Sequence, residues 1–379
     1  MASIPASPLL EARRAPRLLF VPVSGTYGMG EYARSLAIAR AASRRWPGAG
    51  IHFVLSREAP YAADAPFPKT LLPSSATFHS AAVIELLEQW RPDIAVFDNA
   101  GRTAQLRAAR RLGARIVYIS ARRRQRYKAF RVRWMRLIDE HWIAYPQFIA
   151  GGLGVLERLK LQILGRPAVR YLDVIMSRAD PQQRDAILAR AGCAPGTYVL
   201  VVPGGGTGHP GADDAEHQFM AAARAIAAAG TPTLYVGPAG AGADADAGAG
   251  GAAPPPNWHR FGPLPQAELT EFMRSARLVV ANGGSTLLQS VACGAACVAV
   301  PIAKDQAERT RRCVAAGVAQ AARLDSTSIV QAANRLLQNE PQRAALAARA
   351  RGVGLADGVE IAMAAMTGLL EPTHDAAGS

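Results

Sequence analysis

The chain has 379 residues, half of them apolar, and a mean hydropathy of +0.05. It is long enough for two globular α/β domains, and its composition excludes a disordered chain. No apolar run is long enough to span a bilayer, and residues 1–17 lack the apolar core of a secretory signal, so we expect a cytoplasmic protein. The cysteines show no CxxC pair, which favours buried thiols over metal ligands; they are Cys193, Cys293, Cys297 and Cys313.

The net charge of +14 is concentrated in one segment of the chain. Residues 102–136 contain thirteen Arg and Lys residues and no Asp or Glu, whereas the rest of the chain is close to neutral. A basic segment on a neutral body indicates a surface that faces anions.

Within this segment, apolar residues recur at helical spacing, which predicts an amphipathic helix over Arg122–Arg136. Three interpretations stay open. The segment contacts an anionic membrane, which would bring the protein to the inner face of that membrane as a peripheral protein. Alternatively it binds an acidic polymer or nucleic acid, although no recognition motif for specific nucleic acid accompanies the charge. In the third interpretation the charges form a solvated face above buried aromatic side chains.

The first half alternates apolar strands with helices, which predicts a parallel sheet covered on both faces. In chain order, the predicted strands are Leu18–Val23, Ile51–Leu55, Ile94–Phe97 and Ile116–Ile119. The predicted helices are Glu31–Arg45, Ser80–Trp90 and Thr103–Leu112.

The second half repeats the pattern, with a low-complexity loop over Ala239–Pro256. Its predicted strands are Tyr198–Val202, Thr233–Val236, Leu278–Ala281 and Cys297–Val300. Its predicted helices are Asp213–Ala228, Thr286–Cys293, Thr327–Gln338, Pro341–Arg351 and Val359–Leu369. We therefore expect an N-terminal domain over residues 1–165, a linker over 166–195, a C-terminal domain over 196–355, and a last helix and tail over 356–379.

Three glycine-containing loops follow a strand and precede a helix: Ser24–Gly30, Gly204–Gly208 and Asn282–Thr286. Ligands of open α/β sheets bind at such loops, because glycine permits close backbone approach and the next helix offers N–H groups to a phosphate. The glycines of the first loop, on the side expected to hold the acceptor, are Gly25, Gly28 and Gly30. The first loop lacks the GxGxxG spacing and the chain lacks GxxxxGK[ST], which disfavours a dehydrogenase or a P-loop NTPase.

The stretch Asn282–Gln306 resembles the donor-binding signature of the GT-B glycosyltransferases. That superfamily includes the lipid-linked N-acetylglucosaminyltransferase of peptidoglycan synthesis, the UDP-glycosyltransferases and a related nucleotide-sugar hydrolase. The matching positions are Gly283, Gly284, Thr286, Gln289, Gly294, Pro301, Asp305 and Gln306. The resemblance implies an α/β protein of the GT-B fold, in which two Rossmann-like, doubly wound parallel-sheet domains face each other across a cleft.

The resemblance also implies a donor site on the C-terminal domain. Its predicted residues are Gly204, Gly205, Gly206, Thr207, His209, Gly283, Gly284, Ser285, Thr286, Gln289, Asp305 and Gln306. Many relatives have Glu at the position of Gln289 to hold the donor ribose; an amide accepts and donates hydrogen bonds, and a solvated helix residue is the alternative. Asp305 is either a contact to sugar hydroxyls or a helix N-cap. His209 is either a contact to phosphate or sugar or a plain loop residue.

Inverting sugar transfer needs a base for the acceptor hydroxyl and stabilisation of the diphosphate that leaves. Relatives often carry the base as a His on the first loop, supported by an Asp on a later strand end. The first loop here has no His, and its counterpart is Glu31, while Asp98 falls where the supporting Asp would lie. We predict Glu31 and Asp98 as catalytic residues that lie close enough to raise the pKa of one of them, as would suit a base. The alternatives are a first-turn acid at Glu31 and a helix N-cap at Asp98.

The resemblance implies an inverting glycosyltransferase that uses neither a metal nor a cofactor and takes a hexosyl or N-acetylhexosaminyl group from a UDP-linked donor. The implied acceptor is lipid-linked or an anionic glycan, as in the synthesis of cell-surface glycans. Two alternatives stay open. One is a nucleotide-sugar hydrolase or epimerase of the same fold. The other is a non-catalytic nucleotide-sugar-binding scaffold, which the missing first-loop His and the Gln289 substitution favour.

Overall fold

The structure is a computed structural model that describes residues 14–26, 30–176, 181–190, 192–204, 214–237 and 255–371. Within these ranges the chain forms two entirely parallel β-sheets, one in each half of the sequence. The predicted α/β class and the two doubly wound sheets are confirmed.

The first sheet has seven strands whose central members are buried on both faces. In chain order they are β1 (Arg17–Pro22), β2 (Gly50–Ser56), β3 (Lys69–Leu72), β4 (Ile94–Asp98), β5 (Arg115–Ser120), β6 (Glu140–Ile143) and β7 (Ala168–Tyr171). Their spatial order is β3-β2-β1-β4-β5-β6-β7. The continuous apolar runs of β1 and β4 place them at the centre, where Phe20 pairs with Phe53 on one side and Val96 on the other.

Helices cover both faces of this sheet. They are α1 (Gly30–Arg45), α2 (Ser80–Trp90), α3 (Thr103–Arg111), α4 (Arg123–Ala129), α5 (Val132–Met135), α6 (Gln147–Ala150) and α7 (Val155–Leu164). One core lies under α1 and contains Ile38 and Phe53. The other lies under α2 and α3 and contains Leu87, Leu106 and Trp134.

The second sheet has six strands and its own helices on both faces. The strands are β8 (Val199–Val202), β9 (Thr233–Val236), β10 (Trp258–Phe261), β11 (Leu278–Asn282), β12 (Cys297–Val300) and β13 (Gln320–Ala321). Their spatial order is β10-β9-β8-β11-β12-β13. The helices are α8 (Pro181–Arg190), α9 (Ala215–Ala228), α10 (Gln266–Ser275), α11 (Ser285–Ala292), α12 (Lys304–Ala315), α13 (Ser326–Gln338) and α14 (Glu340–Gly352).

The last helix, α15 (Gly358–Leu370), returns to the first half and packs against α1. Ala362 and Met366 belong to the same core as Ile38. The chain passes between the two halves twice, after β7 and before α15, and these two crossings touch. The Gly358 N–H donates to the Val174 carbonyl at 2.8 Å, and a Cβ at Gly358 would overlap the Leu172 carbonyl oxygen. The N-terminal unit therefore includes β7, beyond the expected boundary at residue 165, together with the last helix.

The single amphipathic helix predicted over Arg122–Arg136 is wrong. The segment forms two short helices, α4 and α5, with an extended Arg131 between them. The break lets two aromatic side chains enter the core at different places, because Phe130 packs on His141 while Trp134 packs on Tyr118. The basic side chains thus lie above buried aromatics and are themselves exposed, which leaves the partner of this surface open.

Candidate functional site

A cleft of about 2850 Å³ lies where the carboxyl ends of the two sheets face each other. Loops and helix starts from both halves line it. From the first half come Gly30, Glu31, Ser120, Arg122, Arg123 and Tyr145, and from the second come Gly204, Asn282, Gly284, Ser285, Thr286, Asp305, Gln306 and Arg309. Most of the described residues of the predicted donor site therefore share one cleft with Glu31.

The start of α11 forms the centre of the C-terminal wall. Ser285 and Thr286 line the cleft there, so the first N–H groups of this helix, which have no partner within it, lie at the wall. A Cβ at Gly283 would lie 2.6 Å from Thr310 Oγ1, and one at Gly284 would lie 2.9 Å from Asn282 Oδ1. The two glycines thus let α11, α12 and the end of β11 meet at distances that no larger residue permits.

Asn282 connects the loops that follow β8 and β11. Its Nδ2 donates to the Pro203 carbonyl at 2.8 Å, and its Oδ1 accepts from the Gly284 N–H at 3.0 Å. Gly204 has φ +105°, and a Cβ there would overlap the Asn282 amide. Asn282 therefore holds the end of β8 next to the start of α11. The predicted residues Gly28, Gly205, Gly206, Thr207 and His209 lie outside the described residues.

The Gln289 side chain, on α11, contacts the crossing between the halves. Its Nε2 donates to the carbonyl of Ile175, in the crossing between the halves, at 3.2 Å, and Gln266 Nε2 donates to the same oxygen at 3.1 Å. In this conformation Gln289 contacts the crossing. Its predicted contact with the donor ribose stays a prediction.

Asp305 and Gln306 lie in the first turn of α12, whose N-cap is Ala303, so the N-cap alternative for Asp305 is wrong. Asp305 is exposed and lines the cleft. Gln306 is buried, and its Oε1 accepts from the Ile302 N–H at 3.0 Å, which fixes the start of the helix.

Arg309, one turn further along α12, was not predicted from the sequence. It is buried to more than nine-tenths, yet it lines the cleft. Its guanidinium donates to the Gly283 carbonyl at 2.8 Å and to the Tyr145 hydroxyl at 3.1 Å, and it stacks 4.6 Å from the Tyr145 ring centre. Arg309 therefore brings a fixed positive charge to the start of α11 and joins the two halves of the chain. Its i, i+4 spacing from Asp305, which it contacts at 3.4 Å, was the only sequence signal.

On the opposite wall, Glu31 lies in the first turn of α1 and is largely shielded from solvent. Its Oε1 accepts a hydrogen bond from Asn99 Nδ2 at 2.8 Å and lies 3.7 Å from Arg122 Nη2. Asn99 is itself fixed, because its Oδ1 accepts from the Ala121 N–H at 2.8 Å and its φ is +53°. The left-handed backbone that asparagine tolerates thus aims its amide at Glu31.

Asp98 ends β4 and is completely buried. Its two oxygens accept from Arg34 Nε and Nη2 at 2.8 and 2.7 Å, a two-bond ion pair between β4 and α1. Burial raises the pKa of Asp98 to about 6; the Arg34 guanidinium limits this rise and the Glu31 charge adds to it. The predicted electrostatic coupling between the two acids is therefore present, and it acts on Asp98. The N-cap alternative is wrong, since the cap of α3 is Arg102.

The geometry separates the roles of the two predicted catalytic acids. Glu31 faces the cleft, whereas both oxygens of Asp98 accept hydrogen bonds from Arg34, which lies one turn after Glu31 on α1. Asp98 is thus placed to position the start of α1 rather than to touch a substrate. Asn99 and Arg34 were not predicted, although Asn99 directly follows Asp98 and Arg34 follows Glu31 at i, i+3.

No protein-family model matches the sequence, and no curated protein matches it. Several solved structures are similar to this chain. MurG of Acinetobacter baumannii is 15% identical with a TM-score of 0.61, over 93% of this chain and 99% of that one. The spinosyn rhamnosyltransferase SpnG, solved with thymidine diphosphate, is 15% identical with a TM-score of 0.58, over 92% and 100%.

A third similar structure is a UDP-N-acetylglucosamine 2-epimerase, so described only provisionally, from Listeria monocytogenes. It is 16% identical with a TM-score of 0.56, over 93% of this chain and 96% of that one. At these identities the likeness establishes architecture and not activity. Two facing parallel sheets, a last helix that returns to the first half, and near-complete coverage by these structures show that the chain has the GT-B fold.

Proposed function

We propose that the protein is a glycosyltransferase that moves a sugar from a nucleotide-sugar to an acceptor hydroxyl with inversion and without a metal. The observation that carries this proposal is the pairing across one cleft of the α11 N-terminus with a positioned carboxylate, Glu31. The helix N-terminus is suited to binding a diphosphate, and the carboxylate is suited to accepting a hydroxyl proton.

The C-terminal wall supports the donor half of the proposal. The glycine-lined start of α11 offers N–H groups and the positive end of a helix dipole to a diphosphate, and Arg309 adds a full charge beside Gly283. These groups would stabilise the charge of the leaving diphosphate, which is the task a metal performs in other transferases. SpnG was solved with thymidine diphosphate, which supports a pyrimidine nucleotide; we propose a UDP-linked hexose or N-acetylhexosamine as donor.

In the proposed step, a Glu31 oxygen takes the proton of the acceptor hydroxyl while the hydroxyl oxygen attacks the anomeric carbon. The new C–O bond forms on the face opposite the diphosphate. The old C–O bond breaks, and its electron pair stays on the diphosphate oxygen. The proton remains on Glu31 and passes to water after the products leave. Asn99, by holding Glu31, keeps one carboxylate oxygen in place for the transfer.

The N-terminal wall supports an acceptor that carries negative charge. Arg122 and Arg123 line the cleft, and Arg122 is largely exposed beside Glu31. An acceptor hydroxyl at Glu31 would therefore bring its neighbouring substituents against a guanidinium. We propose a lipid-linked or otherwise anionic glycan acceptor on this side, and a protein that works at the inner face of a membrane.

Replacing Glu31 with Gln tests the assignment of the base. We expect product formation to fall by a factor of about 10² to 10⁴, the usual contribution of a general base, while UDP affinity changes little. The measurement is kcat with a UDP-sugar together with calorimetric titration of UDP. Glu58→Gln, at an exposed position away from the cleft, is the matched control. Full activity of the Glu31 variant would exclude Glu31 as the base.

A nucleotide-sugar hydrolase or epimerase is the second candidate, favoured by the similarity to the 2-epimerase structure. In hydrolysis, water takes the place of the acceptor hydroxyl at Glu31. The two functions differ in one measurable property: a transferase releases UDP at a rate that depends on the added acceptor, whereas a hydrolase or an epimerase consumes its substrate at the same rate without one.

A further inference from the structure

Helix α7 presents an apolar face to solvent. None of the residues of this helix is buried. At 100° per residue, its exposed large apolar side chains fall within a sector of about 100°. They are Val155 (71% exposed), Leu156 (70%), Leu159 (47%) and Ile163 (72%). A surface helix of a globular protein normally turns such a face toward its core, so this face is built to be covered by something else.

The opposite side of α7, which carries Glu157 and Lys160 together with the half-buried Leu161 and Leu164, is fixed to the protein. Glu157 accepts from two nitrogens of Arg126, at 2.7 and 3.1 Å, and Lys160 donates to the Phe130 carbonyl at 3.1 Å. Arg126 is further anchored to the carbonyls of Gly151 and Gly152. These contacts attach α7 to the α4–α5 segment and hold its apolar face outward.

The surroundings of this face are basic. Residues 102–166 contain sixteen Arg and Lys residues and only three acids, and each acid is ion-paired: Asp139, Glu140 and Glu157. The neighbouring α4–α5 segment also exposes Tyr127 and Val132 among arginines. The exposed arginines of the segment are Arg122, Arg123, Arg124, Arg131, Arg133 and Arg136.

We infer that the apolar face of α7, together with the exposed arginines of the α4–α5 segment, docks on an anionic lipid bilayer. The four apolar side chains would enter the boundary between headgroups and acyl chains, and the arginines would pair with lipid phosphates. Among the described residues, no helix is long and apolar enough to cross a membrane. The contact is therefore of the interfacial kind, made by α7 and not by the arginine-rich segment alone.

A second copy of the chain is a weaker match for this surface. An isologous dimer places identical patches face to face, so the arginines around α7 would meet arginines of the same sign. An anionic bilayer offers the opposite charge and an apolar interior at once. Charge complementarity therefore selects the membrane as the occupant.

The docked orientation bears on substrate access. Gly154 and Glu157 at the start of α7, and Tyr127 on α4, line the cleft on the Glu31 side. A bilayer on α7 would lie at the mouth of the acceptor side, where a glycan attached to a lipid could reach Glu31. This consequence rests on the proposed function, whereas docking itself does not.

Co-sedimentation with lipid vesicles tests the inference. The probes are vesicles of phosphatidylcholine mixed with the anionic lipid phosphatidylglycerol, and vesicles of phosphatidylcholine alone. We expect binding to the anionic vesicles that weakens as salt rises, and at least tenfold weaker binding of the double variant Leu156→Ser, Ile163→Ser. The matched control is Val353→Ser, an exposed apolar position of the second half, which should bind as the parent protein does.

Three results would overturn the inference: no association with anionic vesicles, equal binding by the double variant, or a dimer in light scattering that the double variant dissociates. Circular dichroism and thermal unfolding check that the variants fold. UDP titration of the same variants separates this inference from the proposed function. Loss of vesicle binding with unchanged UDP affinity supports docking through α7, and vesicle binding without UDP binding would leave docking intact while contradicting the transferase.

Discussion

At the residue scale, Glu31 depends on a neighbour that lies 68 positions away in the sequence. Asn99 holds both the Glu31 carboxylate and the Ala121 N–H, the backbone group that precedes Arg122. A donor to the carboxylate stabilises its charged form, which is the form that accepts a proton. Asn99 is thus a positioning residue for the proposed base.

Replacing Asn99 with Gly removes the amide while keeping a residue that accepts the left-handed backbone. We expect kcat to fall by about one to two orders of magnitude, in line with the loss of one charge-assisted hydrogen bond. An unchanged kcat would show that Asn99 does not position Glu31 for proton transfer. UDP affinity should stay constant.

His141 gives the folded protein a specific acid sensitivity. It is completely buried beneath the basic segment, where burial and, secondarily, Arg126 lower its pKa to about 3. The unfolded chain binds a proton there below pH 6.5 while the folded chain does not, so stability is lost as the pH falls from about 6.5 toward about 3. The loss is about 2 kcal/mol at pH 5, at about 1.4 kcal/mol per pH unit.

The measurement is the free energy of unfolding in urea at pH 7.5 and pH 5, for the parent protein and for His141→Gln. Glutamine keeps a hydrogen-bonding group near Ser120, whose hydroxyl lies 2.8 Å from His141 Nε2. We expect the variant to lose about 2 kcal/mol less than the parent protein between the two pH values. Equal losses would show that other groups account for the acid sensitivity.

At the element scale, the site depends on how closely α11 and α12 approach. A Cβ at Gly283 would lie 2.6 Å from Thr310 Oγ1 and 3.0 Å from Gln306 Cβ, so Gly283→Ala forces α12 away from the start of α11. We expect destabilisation of about 1 to 3 kcal/mol, as for other overpacked sites. UDP affinity should fall at least tenfold, because Arg309 and the first N–H groups of α11 lose their common geometry.

Calorimetric titration of UDP and thermal unfolding measure both effects. Gly262→Ala is the matched control, since a Cβ there meets nothing within 4 Å. Tight UDP binding by a destabilised Gly283 variant would separate the packing of α11 from the nucleotide site and remove the argument for a donor site there.

Strong local patterns allowed the sequence to predict most elements. The helix Ser80–Trp90 and the strands Thr233–Val236 and Cys297–Val300 have the predicted bounds. Among the elements that the sequence analysis missed are β3, β7 and α7, because β3 and β7 are short, half-buried edge strands without an apolar run and α7 has its apolar face outward. The helix over Arg122–Arg136 was wrong because helical spacing does not show that two aromatics enter different parts of the core.

The candidate site was predictable where its residues follow one another in the chain, as at Gly283–Thr286. Arg34 pairs with Asp98 across 64 positions, and Arg309 meets Tyr145 across 164. Such partners become evident only when the sheets fix which loops face each other. The same holds for Gln289, whose amide contacts the crossing at Ile175.

At the scale of the whole molecule, the described residues join the two halves at several places. The segments that pass between the halves meet at Gly358 and Leu172, α15 packs on α1, α6 packs on α12, and Arg309 bridges to Tyr145 from within the cleft. A ligand that engages the start of α11 would act on a helix pair that already contacts the first half. Nucleotide binding is therefore expected to register in the thermal unfolding of the whole chain.

Titration of nucleoside diphosphates against the intact protein tests the central claim most directly. The panel is UDP, dTDP, GDP and ADP, measured by calorimetry with the parent protein, Glu31→Gln and Gly283→Ala. The account predicts selective binding of a pyrimidine nucleoside diphosphate that Glu31→Gln retains and Gly283→Ala loses. Binding of none of the four, or equal binding by the Gly283 variant, would contradict a donor site at the start of α11.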